Sequence, residues 1–153
     1  MWVLLSHRMP REPSTPRIAV WRKLKELGVA QIGDGLVGLP HTAETREQLE
    51  WVAAQVLEAD GEAIVWMAEP SGRRNGRRLA SQLRDERAAE YLDLLAEVTT
   101  SPDADVRAIA RWRRQLRKIE QRDHLRAEGR DRVRLAIDAF AATEAARPAR
   151  SRR

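Results

Sequence analysis

The chain has 153 residues, of which 33% are charged, and no cysteine; this excludes disulfides, thiolate metal sites and thiol redox chemistry. Its formal charge of +5 is unevenly spread: residues 1–70 hold 7 Lys/Arg against 10 Asp/Glu, and residues 71–153 hold 21 against 13. That distribution predicts a neutral-to-acidic compact part followed by a basic part suited to a polyanion.

The opening "MWVLLSHRMPR" carries too few consecutive apolar residues for a signal-peptide core, and no stretch approaches the ~18 apolar residues of a membrane span. The expectation is a cytoplasmic protein with no membrane partner. Residues 2–8, "WVLLSHR", read as a strand closed by the proline-rich elbow "PREPSTPR". Thr15 is placed as the N-cap and Pro16 as the first residue of a helix that buries Val20, Leu24 and Leu27 and stops at Gly28. "VAQIGDGLVGLP" reads as two short strands around a turn at Gly33, Asp34 and Gly35. A second helix starts near Thr42 or Thr45, with Thr45 and Gln48 at capping-box spacing. "EAIVWMA", Glu62–Ala68, is the last strand. The order strand, helix, strand, strand, helix, strand defines an α+β, ferredoxin-like βαββαβ antiparallel sheet domain over residues 1–70.

"EPSGRRNG" (Glu69–Gly76) has the composition of a linker. Three helical patterns over residues 77–145 form an α-helical C-terminal extension, with Tyr91 in the first, Trp112 in the second and Ile137 in the third. Residues 146–153, "ARPARSRR", are expected to be a disordered basic tail. Trp2, Trp21, Trp51 and Trp66 are expected in the core or at its edge, since tryptophan is on average highly buried.

Five short stretches carry a family resemblance: "PREPS" (10–14), "VWRKLKELG" (20–28), "LP" (39–40), "TREQLEW" (45–51) and "DGEA" (60–63). In order and spacing, residues 2–68 resemble the N-terminal domain of the ChrB chromate-resistance proteins. "AEYLDLLAEV" (89–98) and "RRQLRKIEQRD" (113–123) also look like that family, though they are less distinctive. The resemblance implies a role in chromate resistance, as a transcriptional regulator or an accessory of chromate efflux. Longer family members continue into a second domain; if chromate is sensed there, this chain is not expected to sense it, and the alternative is an accessory that docks on a chromate-system protein partner carrying that sensor. More distantly, the sheet domain is similar to the middle domain of the PaaX repressors and to the CRISPR-adaptation endonuclease fold.

Two clusters could carry binding. Arg8, Arg11 and Arg17 surround a predicted helix N-terminus, where free N–H groups and the dipole favour an oxyanion such as chromate, sulfate or phosphate; the alternative is that they are solvated or pair with Glu12, Glu26 or Glu44. Arg111, Arg114, Lys118 and Arg122 follow helical spacing away from Ile109, Trp112, Leu116 and Ile119. They are the candidate nucleic-acid contact, or else a solvated face offset by Glu120, Asp123 and Glu128.

Catalysis has little support. His7, His41 and His124 show no metal-ligand spacing, "GDGLVG" sits in a hairpin turn rather than at a strand-to-helix junction, and the first strand ends Ser6–His7–Arg8 with no carboxylate. A metal-dependent nuclease would need an unexpected pair such as Asp34 with Glu62. No enzyme activity, metal or cofactor is expected. The reading is a homodimeric, DNA-binding regulator; the alternative is a protein-interaction module whose helical apolar sides, including Tyr91 and Trp112, are exposed for a partner.

Overall fold

The structure is a computed structural model that describes residues 1–102 and 105–147. Its elements are β1 (Trp2–Arg8), α1 (Ser14–Leu27), β2 (Ala30–Gly33), β3 (Leu36–Pro40), α2 (Ala43–Glu58), β4 (Glu62–Ala68), α3 (Arg73–Thr99), α4 (Val106–Arg122) and α5 (Arg130–Ala146). They form two compact units, Met1–Leu83 and Arg84–Arg153. The expected tail lies outside the described residues from position 148.

In the first unit the strands lie in the order β2-β3-β1-β4, each antiparallel to its neighbour. This is the expected ferredoxin-like arrangement. Side chains alternate across a strand, so Val3 and Leu5 of β1 share one face with Val37 and Leu39 of β3. Val20, Leu24 and Leu27 of α1 and Leu49, Val52, Ala53 and Val56 of α2 close over that face as one core. Burying each large aliphatic side chain there is worth about 1.5–3 kcal/mol.

Two glycines are dictated by backbone geometry. Gly28 ends α1 in the left-handed region at φ 69°, its N–H donating to the carbonyls of Leu24 and Lys25. Gly35 turns the β2–β3 hairpin at φ 66°, where any Cβ would run into the carbonyl oxygen of His7.

The local signals were displaced in three places. Helix α1 begins at Ser14 behind Pro13 with no side-chain cap, so Thr15 lies in the first turn instead of capping it. The capping box of α2 is Thr42 with Thr45, not Thr45 with Gln48: the Thr42 N–H donates to Thr45 Oγ1 at 2.9 Å and the Thr45 N–H to Thr42 Oγ1 at 3.0 Å. A hydroxyl serves that geometry as well as a carboxamide, and Thr45 Oγ1 also donates to the Pro40 carbonyl at 2.7 Å. Helix α3 starts at Arg73, inside the expected linker, and runs unbroken to Thr99.

Trp2 is buried, but Trp21, Trp51 and Trp66 are 58%, 66% and 49% exposed. The expectation of core tryptophans fails at these three: shorter aliphatic residues fill the space beneath α1 and α2, and Trp66 of β4, opposite Leu4, lies on the sheet face that those helices do not cover. Trp21 sits about 100° around α1 from Val20, and Lys25 Nζ lies 5.1 Å from its ring centroid.

The helical unit packs around Trp112, which is fully buried with Tyr91, Val98, Val133 and Ile137 close to the same limit. Phe140 meets the Trp112 ring edge-to-face at 5.3 Å and 77°. Asp105 caps α4 by accepting the Ala108 N–H at 2.9 Å.

Candidate nucleic-acid interface

The sequence of α4, "VRAIARWRRQLRKIEQR", divides its surface into an inward side, an outward ridge and two flanks. Ala108, Ile109, Trp112, Leu116 and Ile119 are buried and fix the inward side. With 3.6 residues per turn, Arg107, Arg114, Arg117 and Lys118 then fall on the opposite, outward ridge, with Ala110 and Gln121 between them. All four cations are exposed, and none makes an ion pair among the described residues.

The flanks are different. Towards α3, Arg111 donates to Glu97 Oε1 at 3.1 Å, and Arg122 grips both oxygens of Glu90 at 3.0 and 2.5 Å. Glu90 also takes the buried Arg87 at 3.0 Å. Towards α5, Arg113 pairs with Asp138 at 3.6 Å, while Glu120 accepts from Arg130 at 2.9 Å and Arg134 at 2.6 Å. Carboxylates therefore line the seams of the unit and leave the ridge uncompensated. Glu97 also accepts the indole N–H of Trp112 at 2.9 Å. That hydrogen bond first, and Arg111 after it, hold its pKa below the ordinary value.

Of the four residues singled out by spacing, Arg114 and Lys118 stand on the free ridge, and Arg111 and Arg122 are held by α3. Arg107 and Arg117 were missed, although the spacing 107, 111, 114, 118 reaches Arg107 and the step from Arg114 to Arg117 is about one helical turn. What could not be read there is which cations face Glu90 and Glu97, since these lie on another helix.

The elbow is plainer. Arg8 ends β1, Arg11 lies in the loop and Arg17 in the first turns of α1. All three are exposed, and no ion pair joins them to Glu12, Glu26 or Glu44 among the described residues; Glu26 pairs with Lys23 instead, at 3.7 Å. Nearby, His7 is half-buried with an unpartnered Nδ1, and desolvation lowers its pKa. Among the described residues no cluster of three His, Asp or Glu side chains is arranged to hold a metal ion. No described helix is long and apolar enough to cross a membrane.

Fold and surface together define a ferredoxin-like α+β protein with a basic helical extension. The chain belongs to the family described as Protein ChrB, N-terminal, whose profile matches residues 17–104. The matched stretch begins after Arg8 and Arg11 and ends before α4. The chain is also similar to the Protein ChrB of Cupriavidus metallidurans, 28% identical over 100 residues, which is 65% of this chain and 30% of that protein. It thus spans less than a third of the length of the curated relative it matches. No solved structure matches it.

Proposed function

We propose that this chain acts in chromate resistance as a DNA-binding regulator in the cytoplasm, without a catalytic step of its own. Family membership supports the setting, and one observation carries the DNA reading: Arg107, Arg114, Arg117 and Lys118 form an exposed ridge with no carboxylate on it. A cation already held by Glu90 or Glu97 gains less from a phosphate than a free one, so the ridge is the part that releases DNA counterions on binding. Three of its four cations are arginines, which can also read guanine edges in the major groove bidentately. Phosphate contacts from the ridge set affinity and position; arginine contacts to base edges supply the sequence choice.

The alternative, a docking module with open apolar helices, loses its main support. Trp112 and Tyr91 are both fully buried, and the large apolar side chains exposed on the unit, among the described residues, are Leu92, Val106 and Leu135. The elbow arginines Arg8, Arg11 and Arg17 are the proposed second contact, for a phosphate or for chromate.

The test is binding of the purified chain to the DNA upstream of its own coding region and to an unrelated duplex, across a salt series with and without chromate. The reading predicts that the upstream duplex stays bound at salt concentrations that release the unrelated one. Equal binding to both, with the same salt dependence, would leave only a basic surface and overturn the regulatory reading.

A further inference from the structure

Five of the eight large apolar side chains exposed in the sheet unit lie on β4 or on α2, which packs against it. Ile64, Trp66 and Met67 of β4 are 54%, 49% and 46% exposed, and Leu57 of α2 is 55% exposed. Leu57 lies on the flank of α2 away from the groove shared with α1, which Gln55 and Glu58 line, and α2 packs on β1 and β4. Strand β4 is an edge of the sheet, paired to β1 through all seven residues with no register shift.

Edge strands in stable monomers are blunted by shortness, proline, lysine or a bulge. The opposite edge, β2, is blunted: it has four residues, and its pairing shifts between Gln31 and Gly33. Strand β4 has none of these devices, and Ala63–Ala68 contains no charge.

We infer that β4 pairs antiparallel with β4 of a second copy of this chain, joining two four-stranded sheets edge to edge. A two-fold axis perpendicular to a sheet keeps each side chain on its own face, and residues directly opposite must share a face. The axis therefore passes through a residue and its own equivalent. Centred on Val65, it pairs the whole strand: Ile64 lies opposite the second copy's Trp66, Ala63 opposite its Met67, and Glu62 opposite its Ala68. Moving the axis to Ile64 sets Glu62 against the second copy's Trp66; moving it to Trp66 sets Ala63 against the second copy's Glu69. Only the Val65 axis gives every residue from Ala63 to Met67 an apolar partner, with Glu62 and Ala68 paired at the ends.

Charge permits self-pairing: Glu62 comes one residue along the ladder from the second copy's Glu69, but successive side chains point to opposite faces. Glu62 and Glu69 bracket the run, so the two Glu62 side chains lie about 20 Å apart along the ladder, and each has Arg8 of its own β1 opposite it. Trp66 is held in advance, its indole N–H donating to Ser6 Oγ at 2.9 Å. This inference is independent of the nucleic-acid reading.

The full chain has no cysteine, so introduced thiols are its only thiols. Ile64→Cys and Trp66→Cys variants are oxidised separately and as an equimolar mixture, without DNA, beside sedimentation of the unmodified chain. The expected results are a dimer at micromolar concentration and disulfide-linked dimers in the mixture at least ten times more abundant than in either variant alone. Ile64→Lys, at an exposed position, should weaken the dimer at least tenfold with unchanged circular dichroism. A chain that stays monomeric, cross-linking of either single variant equal to the mixture, or an Ile64→Lys protein that dimerises normally would overturn the inference.

Discussion

In the sheet unit, Val3, Leu5, Val37, Leu39, Leu49, Val52 and Val56 are buried with nothing polar to satisfy. In the helical unit the two largest buried side chains, Trp112 and Tyr91, each carry a polar atom that finds a carboxylate on a neighbouring helix or loop. Tyr91 donates to Asp123 at 3.0 Å, and the Asp123 carboxylate also accepts the Ala127 N–H at 2.9 Å. The burial of Tyr91 and that carboxylate push the phenol well above its usual range. A highly charged stretch can thus close a core by spending its acidic residues inward. The acids are taken up in the seams, and the arginines beyond their reach form the ridge. The basic surface is in this sense a consequence of how the helical unit is held together.

The largest expected effect comes from breaking the helical core. Trp112→Ala should cost about 3–5 kcal/mol, read as loss of helical signal at lower denaturant, while a Leu39→Ala change of about 2–5 kcal/mol should act first on the sheet unit. Equal responses of strand and helix probes to both variants would merge the two units into one. Next, Tyr91→Phe removes one hydrogen bond to a charged acceptor and should cost about 1.5–3 kcal/mol in urea unfolding. No change would mean that Asp123 is satisfied by Ala127 alone.

Acid should separate the units more gently. His7 has a folded pKa below 6.5, so below that pH the unfolded chain takes up a proton that the folded chain resists. Its contribution is complete above pH 6.5 and is lost as pH falls through 6.5 towards the folded value. Glu97, held below its ordinary 4.5, contributes above that value and is lost as pH falls through its depressed folded pKa. Strand probes should therefore weaken at milder acidity than helix probes, and His7→Gln should abolish the earlier step. Simultaneous weakening of both would contradict this assignment.

Much of the sheet unit was legible in the sequence. Strands 2–8 and 62–68 are runs rich in β-formers closed by Pro10 and Pro70, and the "GDG" turn admits few other structures. The start of α3 was not legible, because Pro70, Ser71 and Gly72 do form a break but the helix resumes at Arg73 and carries Gly76 within it. The tryptophans misled because hydropathy counts them as core, whereas the placement of Trp21 and Trp51 on their helices, and of Trp66 on its strand, depends on which face the neighbouring elements cover. The candidate interface was half legible: helical spacing located the basic helix, but only the neighbouring α3 shows that Arg111 and Arg122 are occupied and Arg114 and Lys118 free.

The most direct test of the account is a salt titration of DNA affinity for two variants. One neutralises the ridge, with Arg107, Arg114, Arg117 and Lys118 each changed to Gln; the other changes the seam residues Arg111 and Arg122 to Gln. Each lost phosphate contact lowers the slope of log affinity against log salt by about 0.9, so the ridge variant should lose up to about 3–4 units of slope. The seam variant should lose stability and keep its slope. A ridge variant with the slope of the unmodified chain, or a seam variant that loses more slope than it, would contradict the claim that the outward face of α4 meets DNA.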